Sequence, residues 1–364
     1  MKKILIVTGI YPPDIGGPAT FVKDFFYFLK NKNDLVKVIT LQNKQNIKNN
    51  EQNIIKINRD LNKFIRTIIL IKTIRKYAKN VETVLCCGLM FETYIALLGL
   101  KNKKIYRFVG DSIWEKYLSS KKSNISDDKN LNLFLKFITF FRNYILNKFD
   151  LIITPSNYLK NYIKKYIKSR NIKIINNFAN FEKNKNNKFQ KEISLKKRVN
   201  FIALSRLVKW KNIDILIESF KYLNEFNLHI YGSGPEEKLL KKKIKKLSLD
   251  NVFLYGSIKR SEVYQLLLKS DCFIQISSYE GMSFSVLEAL ALNKPMLLSN
   301  IEPNFETAKS AAIYVNQKSI SNVIATLKLF KSPKIRKIIS DNAKNTVCKL
   351  YNKEKILEKY YNEL

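Results

Sequence analysis

The sequence predicts an α/β protein with two doubly wound parallel sheets. Short unbroken apolar runs alternate with helical patterns, for example "ILIVT" at 4–8 and "NFIALS" at 200–205. Such runs indicate strands that are covered on both faces, as in parallel sheets with crossover helices. The alternation stops over 181–198, a segment rich in Lys and Asn, and then restarts. We therefore expect two domains facing an interdomain cleft, with a ligand at the carboxyl ends of the strands.

The predicted elements follow in chain order. The first set of strands comprises 4–8, 35–40, 83–87, 104–109, 151–155 and 172–175. The second set comprises 200–205, 227–232, 252–256, 272–277, 295–299 and 312–315. A last helical pattern, roughly 333–362, has no strand after it. The expected division is a domain over 1–180, a linker over 181–198, a domain over 199–345 and a terminal helix over 346–364 that is free to pack back on the first domain.

The composition narrows the choice of partners. With 66 Lys+Arg against 30 Asp+Glu, the net charge is +36. That balance favours a polyanion, either nucleic acid, an anionic membrane surface or phosphorylated ligands, although Lys, Asn and Ile are abundant throughout. Four cysteines without a CxxC spacing predict free thiols. The single histidine, His229, lies in the apolar run "NLHIYG" and is predicted to be a core residue, which removes the usual metal and Ser-His chemistries.

Neither apolar stretch near the start is predicted to be a targeting or spanning segment. "MKKILIVTGI" runs directly into "YPPDIGG" without a cleavage site, so it is interpreted as a first buried strand. The stretch 83–100 carries Glu92 and two glycines, so a strand followed by a helix explains it better than a membrane span.

Three strand-loop-helix units are candidates for binding phosphate. Gly16 and Gly17 precede a helix that starts near Ala19, and an ordinary turn explains them equally well. In "SRLVKWKN", Arg206 and Lys211 follow a strand and suit a diphosphate, with solvated surface charges as the rival interpretation. The GSGP turn at 232–235 suits a nucleotide-binding wall or a plain βα turn. Asn212 is predicted to cap the helix that follows.

The stretch "SYEGMSFSVLEALAL" places two carboxylates on one strand-loop-helix unit. Glu280 falls in the loop and Glu288 in the helix. The backbone N–H groups of Met282, Ser283 and Phe284 are expected to be free at the helix start. Because a carboxylate accepts two hydrogen bonds from neighbouring hydroxyls, the acids suit the diols of ribose and hexose. The alternative is a surface helix residue and a loop residue.

In this order, the GG loop, "SRLVKWKN", "YGSGPEEKLL" and the E-x7-E of "EGMSFSVLE", followed by "NKPMLLS", resemble the family 4 glycosyltransferases of the two-Rossmann GT-B architecture. The resemblance covers nearly the whole chain. It implies retaining transfer of a hexose-type sugar from a UDP- or GDP-linked donor, with no cofactor and no metal, and the sequence has no DxD.

The resemblance also assigns roles. Arg206 and Lys211 would bind the diphosphate, Glu280 the donor sugar and Glu288 the ribose. The amides of Met282, Ser283 and Phe284 would contact sugar and phosphate, and Gly16 and Gly17 would lie beside the phosphates and the acceptor. Many members have Gly or Pro where Ser283 stands, and many have His where this chain has "GDSIW". Asp111 of that stretch contacts the acceptor or transferring sugar, or merely caps the next helix; both remain open.

The expected acceptor is a glycan or a lipid-linked glycan in the assembly of a surface polysaccharide such as lipopolysaccharide. Three basic amphipathic helices, over 64–79, 134–148 and 160–170, suggest that the amino-terminal half rests on the anionic inner face of the cytoplasmic membrane, whereas core helices with solvated basic faces are the alternative. We expect a cytoplasmic, peripheral enzyme and no specific nucleic acid. The rival functions are a nucleotide-sugar epimerase of GT-B architecture and a nucleic-acid-binding protein.

Overall fold

The computed structural model describes residues 1–14, 16–47, 51–111, 113–115, 133–168, 171–179 and 198–364. The chain divides into two compact units. The first comprises Met1–Ile113, Asp127–Asn176 and Glu354–Leu364, and the second Trp114–Ser126 and Asn177–Lys353. Most of the predicted linker, 181–197, lies outside the described residues.

The first unit contains a seven-stranded parallel sheet with the order β3-β2-β1-β4-β5-β6-β7. Its strands are β1 Lys3–Val7, β2 Leu35–Gln42, β3 Ile54–Asn58, β4 Thr83–Cys86, β5 Lys103–Arg107, β6 Leu151–Thr154 and β7 Ile172–Ile174. The sequence analysis missed β3. Its "IIKIN" is a short strand at the edge of the sheet, and Ile55, Lys56 and Asn58 are only half-buried.

The second unit contains a six-stranded parallel sheet with the order β10-β9-β8-β11-β12-β13. Its strands are β8 Val199–Leu204, β9 Phe226–Tyr231, β10 Val252–Leu254, β11 Cys272–Gln275, β12 Met296–Ser299 and β13 Ala312–Val315. All six were predicted. In both sheets the order reverses beside the first strand, which is the doubly wound arrangement expected from the alternating pattern.

Helices connect the strands. In the first unit they are α1 Gly17–Asn31, α2 Lys63–Ala78, α3 Met90–Ala96, α4 Leu133–Leu146 and α5 Asn157–Lys164. In the second they are α6 Ile213–Phe220, α7 Glu237–Lys246, α8 Arg260–Lys269, α9 Phe284–Ala291, α10 Glu302–Ala308, α11 Ile320–Leu329 and α12 Pro333–Leu350, and α13 Lys353–Tyr361 ends the chain. The two parallel sheets with flanking helices confirm the predicted fold class.

Aromatic side chains fill much of each core. In the second unit the buried ring of Phe201 on β8 meets Phe220, Phe226 and Phe330 with centroids 5.4 to 6.0 Å apart. Burial of each such ring stabilises the fold by about 1.5–3 kcal/mol. This packing holds β8, the central strand whose carboxyl end carries Arg206.

The final helical stretch is two helices with different surroundings. Between α12 and α13, Tyr351 Oη donates a hydrogen bond of 3.0 Å to the Thr307 carbonyl of the second unit. On α13, Tyr360 is buried in the first unit, where its hydroxyl accepts from Arg107 Nε at 3.0 Å and its ring lies 4.7 Å from Phe21. The chain thus changes unit at residue 354, whereas the sequence analysis began its terminal helix at 346, inside α12. Among the described residues, no helix is long and apolar enough to cross a membrane.

Candidate active site

The predicted donor-site residues of the carboxyl-terminal half cluster around the switch point of the second sheet. The loops after β8 and β11 leave neighbouring strands and lead to helices α6 and α9. Where the strand order of an open parallel sheet reverses, the loops diverge and leave a crevice for a ligand. Arg206 and Lys211 lie on the first of these loops, and Glu280 lies on the second.

Arg206 remains accessible on its loop. Its side chain is 60% exposed, and its guanidinium pairs with Glu115 at 3.1 Å. The guanidinium carbon also lies 5.7 Å from the centroid of the buried Trp210 ring. A guanidinium held over an aromatic face keeps its outer N–H groups available, so Arg206 is able to exchange its carboxylate partner for a phosphate.

Lys211 and Glu280 form an almost buried ion pair. The Nζ of Lys211 lies 2.5 Å from Glu280 Oε1, and the two side chains are only 12% and 10% exposed. The contact joins the two loops that diverge from the switch point. Within the pair each charge compensates the other, and a ligand that reaches the pair meets a cation and a carboxylate side by side.

Asn212 does not cap α6 with its side chain as predicted. It occupies the cap position, but its backbone is left-handed, with φ 52° and ψ 35°, and the side chain makes no cap bond. Instead its Nδ2 donates to the Ile276 carbonyl at 2.7 Å and to Ser278 Oγ at 2.8 Å. A left-handed backbone is tolerated best by Gly, Asn and Asp, and here it turns the amide toward the neighbouring loop. Asn212 therefore fastens the Lys211 loop to the Glu280 loop.

The start of α9 presents free backbone donors. Among the described residues, no acceptor is bonded to the N–H groups of Met282, Ser283 or Phe284. Ser283 caps the helix, since its Oγ accepts from Val286 N at 3.5 Å while donating to Gln275 Oε1 at 2.9 Å. This hydroxyl organises the turn that Gly or Pro makes in many members. Free amides at a helix start favour an anion.

Glu288 lies inside α9 and is 6% exposed. It pairs with Arg260, the first residue of α8, a contact that the sequence analysis missed. Burial raises the pKa of the Glu288 carboxyl, and the Arg260 guanidinium partly opposes that rise. The signal was present in "GSIKRSE", where a cation follows the carboxyl end of β10 just as Arg206 follows β8.

The GSGP turn after β9 is a close backbone crossing. A Cβ on Gly232 would lie 1.8 Å from the Ser205 carbonyl oxygen, and one on Gly234 would lie 2.3 Å from that of Leu207. The two loops are also bonded, since Leu207 N donates to the Ser233 carbonyl at 2.9 Å. These glycines let the loop of Arg206 pack directly on its neighbour. The turn thus supports the loop that carries Arg206.

Gly16 and Gly17 lie in the first unit. Gly16 is the cap residue of α1 and Gly17 its first residue. A Cβ on Gly16 would meet Ile10 Cδ1 at 2.8 Å. The preceding loop is held by Arg59, which pairs with Asp14 and donates to the Gly9 carbonyl at 3.1 Å. Arg59 lies after the unpredicted strand β3, so the sequence analysis did not find it.

Asp111, also in the first unit, is 3% exposed. It pairs with Arg142 on α4 and accepts from Tyr162 Oη at 2.6 Å. Its other oxygen accepts from Ile113 N at 2.9 Å, so Asp111 caps the turn that follows β5. That is one of the two roles left open by the sequence. The cap and the buried pair make Asp111 an organiser of this turn.

The structure thus sorts the candidates between the units. The second unit holds Arg206, Lys211, Glu280, Met282, Ser283, Phe284 and Glu288, all on the loops and helices that follow β8 and β11. The first holds Gly16, Gly17 and Asp111. His229 is 1% exposed and hydrogen-bonds Tyr255 Oη and Asn200 Oδ1, as a core residue does. Within the described ranges, no group of three His, Cys, Asp or Glu residues is arranged to hold a metal ion.

Comparisons with known proteins show which sequences and folds this chain resembles. Residues 183–346 match the family model of the glycosyl transferases group 1. The chain is 25% identical to an uncharacterized glycosyltransferase of Methanocaldococcus jannaschii, over 98% of this chain and 97% of that protein.

One further relative and one solved structure are also similar to this chain. A UDP-Gal:alpha-D-GlcNAc-diphosphoundecaprenol alpha-1,3-galactosyltransferase of Escherichia coli is 28% identical over 52% of this chain and 52% of its own length. The structure of sucrose-phosphate synthase from Thermosynechococcus elongatus superposes with a TM-score of 0.82 at 14% identity, covering 100% of this chain and 98% of that one. The superposition shows a shared fold.

Proposed function

Since this chain is a glycosyltransferase of the group 1 type with the GT-B fold, we propose that it moves a hexose-type sugar, with retention, from a UDP- or GDP-linked donor to a glycan or lipid-linked glycan in surface-polysaccharide synthesis. The observation that carries the donor site is the buried Lys211–Glu280 pair beside the free amides at the start of α9. The cation there suits the phosphates of a nucleotide sugar, and the carboxylate suits the hydroxyl groups of its sugar. The free amides suit the negative charge that grows on the leaving diphosphate.

In the proposed reaction the glycosidic C–O bond to the phosphate breaks first. The sugar gains oxocarbenium character, and negative charge grows on the departing diphosphate. Arg206, Lys211 and the amides of Ser283 and Phe284 stabilise this charge, an effect worth several kcal/mol, roughly 3–4 for one preorganised donor. Because Arg206 and Lys211 supply positive charge and the amides supply hydrogen-bond donors, the proposed mechanism uses no metal ion.

Retention follows from the direction of attack. The acceptor hydroxyl enters on the face that the diphosphate leaves, and a phosphate oxygen takes its proton. Glu280 binds hydroxyls of the donor sugar, and Glu288 binds the ribose diol. They are therefore not the acid and base of a glycosidase, in which two carboxylates flank one bond. In the same proposal Gly16 and Gly17 approach the phosphates and acceptor through their backbone, and Asp111 keeps the turn after β5 in shape on the acceptor side.

A lipid-linked glycan is one of the two proposed acceptors, and one face of the first unit suits a membrane surface. On α4, Phe137, Phe140, Phe141 and Tyr144 follow the i, i+3, i+4, i+7 spacing and are 41–70% exposed. The Tyr144 ring has Lys148 Nζ 5.1 Å from its centroid. Exposed aromatic side chains beside lysines are typical of helices that lie in the headgroup layer of anionic membranes. We therefore propose the inner face of the cytoplasmic membrane as the place of action.

Flotation with liposomes tests this surface. Wild-type protein should float with vesicles that contain phosphatidylglycerol and remain below with phosphatidylcholine alone. The F137S/F140S variant should float about tenfold less or worse, since each ring loses its burial in the membrane. Leu329→Ser on α11, another exposed apolar position, is the matched control. Equal recovery with both lipid types would remove the membrane from the proposal.

Thermal-shift screening with UDP and GDP, followed by their sugars, tests the donor site. Glu288→Ala should weaken nucleotide binding by about 10- to 100-fold, because hydrogen bonds to a charged group contribute about 1.5–3 kcal/mol. Glu280→Ala should retain nucleotide binding and lose transfer. Glu237→Ala, which removes an exposed pair with Lys241, is the control. Equal activity in both variants would refute the assignments.

Product analysis separates the rival functions. With the donor alone, an epimerase converts the nucleotide sugar to its epimer, whereas a transferase leaves the sugar configuration unchanged. Salt-sensitive binding of DNA without any donor turnover would indicate a nucleic-acid-binding protein instead.

A further inference from the structure

A cavity lies beside the candidate donor site. It has a volume of about 400 Å³ and opens at the carboxyl ends of β11, β12 and β13. Its walls belong to the second unit alone, and they are Ser278, Asn300, Ile301, Asn316, Gln317 and Lys318. Cavities at this edge of a parallel sheet are where α/β proteins bind ligands. None of these six residues was a candidate in the sequence analysis.

Gln317 is the first observation that points to a ligand. Its side chain lines the cavity, the residue is only 7% exposed, and its amide makes no hydrogen bond within the part of the chain that is described. A primary amide carries two donor hydrogens and an acceptor oxygen. Neither polar atom of this amide is fully enclosed by protein, so the amide faces the cavity and is available to an occupant with its own donors and acceptors.

The remaining wall narrows the chemistry of that occupant. Asn300 and Asn316 add two more amides, Ser278 adds a hydroxyl, and Ile301 adds an aliphatic surface. Amides donate and accept, as sugar hydroxyls do, and an aliphatic side chain suits the C–H face of a pyranose. Lys318 is the one cation among the six, which is too little charge for a diphosphate. The lining therefore matches a neutral saccharide.

Ser278 connects this cavity to the candidate donor site. It lies two residues before Glu280, its N–H donates to the Trp210 carbonyl at 2.7 Å, and its Oγ accepts from Asn212 at 2.8 Å. The loop that holds Lys211 and the loop that holds Glu280 are thus joined at a residue of the cavity wall. A sugar bound by Glu280 would have this cavity as its neighbour.

We propose that the cavity is a saccharide subsite that holds a pyranose next to Glu280. The proposal rests on the donor site proposed above and extends it by one sugar ring. The pyranose comes from one of two molecules with the same chemistry. It is either a sugar of the acceptor glycan or the sugar of the donor, extending past Glu280 into the cavity. Gln317 binds the ring hydroxyls, and Ile301 contacts its apolar face.

Two variants and one control test the subsite. Gln317→Leu keeps the size of the side chain and removes its donors and acceptor. Asn300→Phe fills the cavity from a solvent-exposed position. Gln265→Leu on α8 makes the same chemical change away from the cavity. Circular dichroism and melting temperature establish that each variant is folded.

Saturation-transfer NMR supplies the first readout, with methyl α-glycosides of glucose, galactose, mannose and N-acetylglucosamine as probes, each in the presence of UDP or GDP. Wild-type protein and Gln265→Leu should saturate the ring protons of at least one glycoside. Gln317→Leu should weaken that binding about 3- to 10-fold, the effect of losing one or two neutral hydrogen bonds, and Asn300→Phe should abolish it. No saturation in the wild type, or equal saturation in all four proteins, would overturn the proposal.

Hydrolysis of UDP-glucose and GDP-mannose without acceptor distinguishes the sources. A higher donor KM in Gln317→Leu identifies the donor sugar as the occupant, whereas an unchanged donor KM with weaker glycoside binding identifies the acceptor. If the donor-site proposal itself is wrong, the wild type will bind neither UDP nor GDP and will turn over neither sugar nucleotide. Glycoside binding is measured separately from that outcome.

Discussion

Removal of either member of the Lys211–Glu280 pair should destabilise the second unit. Because the two side chains are 12% and 10% exposed, solvent screens them little, and the lone partner is left as an uncompensated charge. Breaking a buried pair in this way costs about 3–5 kcal/mol, and we expect Lys211→Met or Glu280→Leu to cost about 3 kcal/mol. The double variant K211M/E280L buries no charge, so it should regain most of that stability.

Tryptophan fluorescence during urea unfolding measures this loss of stability in the second unit. Both tryptophans of the chain, Trp114 and Trp210, belong to the second unit, and Trp210 directly precedes Lys211. The double-mutant cycle should give a coupling energy of about 2–3 kcal/mol. The exposed Glu237–Lys241 pair is the control cycle, with a coupling near 0.3–0.5 kcal/mol.

In that double-mutant cycle, sugar-transfer activity should not recover when the stability of the fold recovers. The double variant should be as stable as the wild type within about 1 kcal/mol and still fail to transfer sugar, because both groups are needed by the ligand. Additive losses of stability would show that the two charges do not compensate each other. Recovery of transfer in the stable double variant would show that the pair only supports the fold.

Three further predictions concern stability, charge and thiol reactivity. Gly234→Ala should lower the free energy of unfolding by more than about 2 kcal/mol, since its Cβ would lie 2.3 Å from a carbonyl oxygen, whereas Gly99→Ala, with φ +76° and open space around it, should cost about 1 kcal/mol. Arg260→Gln should destabilise the protein more at pH 8 than at pH 5. Because burial raises the folded-state pKa of Glu288, ionisation of this carboxyl lowers the free energy of unfolding as the pH rises above its ordinary pKa of 4.5. The Arg260 guanidinium reduces that loss, so the loss should grow when Arg260 is replaced. The exposed Arg198–Asp250 pair is the control, and a pH-independent effect of Arg260→Gln would contradict the reasoning. Cys86 and Cys87, whose thiol pKa burial raises to about 12, should react with iodoacetamide at pH 8 only after unfolding; rapid labelling of the native protein would show that they are not buried.

The sequence alone determined the architecture, since strands covered on both faces must be apolar at nearly every position. That requirement revealed twelve strands, including β8 with "NFIAL", and the loops that follow them. It missed β3, a half-buried strand at the edge of the first sheet. It also identified Arg206, Lys211 and Glu280 as candidates, because polar residues in the loops after buried strands fall at the binding edge of such a sheet. Glu288 was identified by its E-x7-E spacing from Glu280.

Only the tertiary structure decided which of these residues meet. Lys211 and Glu280 are 69 positions apart in the chain, and their contact depends on β8 lying beside β11. The pairing of Glu288 with Arg260 likewise joins residues of two different helices, so it depends on the fold, although the position of Arg260 after β10 is visible in the sequence. Asp111 illustrates the same limit: its residue type suits catalysis and capping equally, and the fold surrounds it with Arg142 and Tyr162. Local periodicity specifies strands and helices, whereas contacts between distant side chains arise only when those elements pack together.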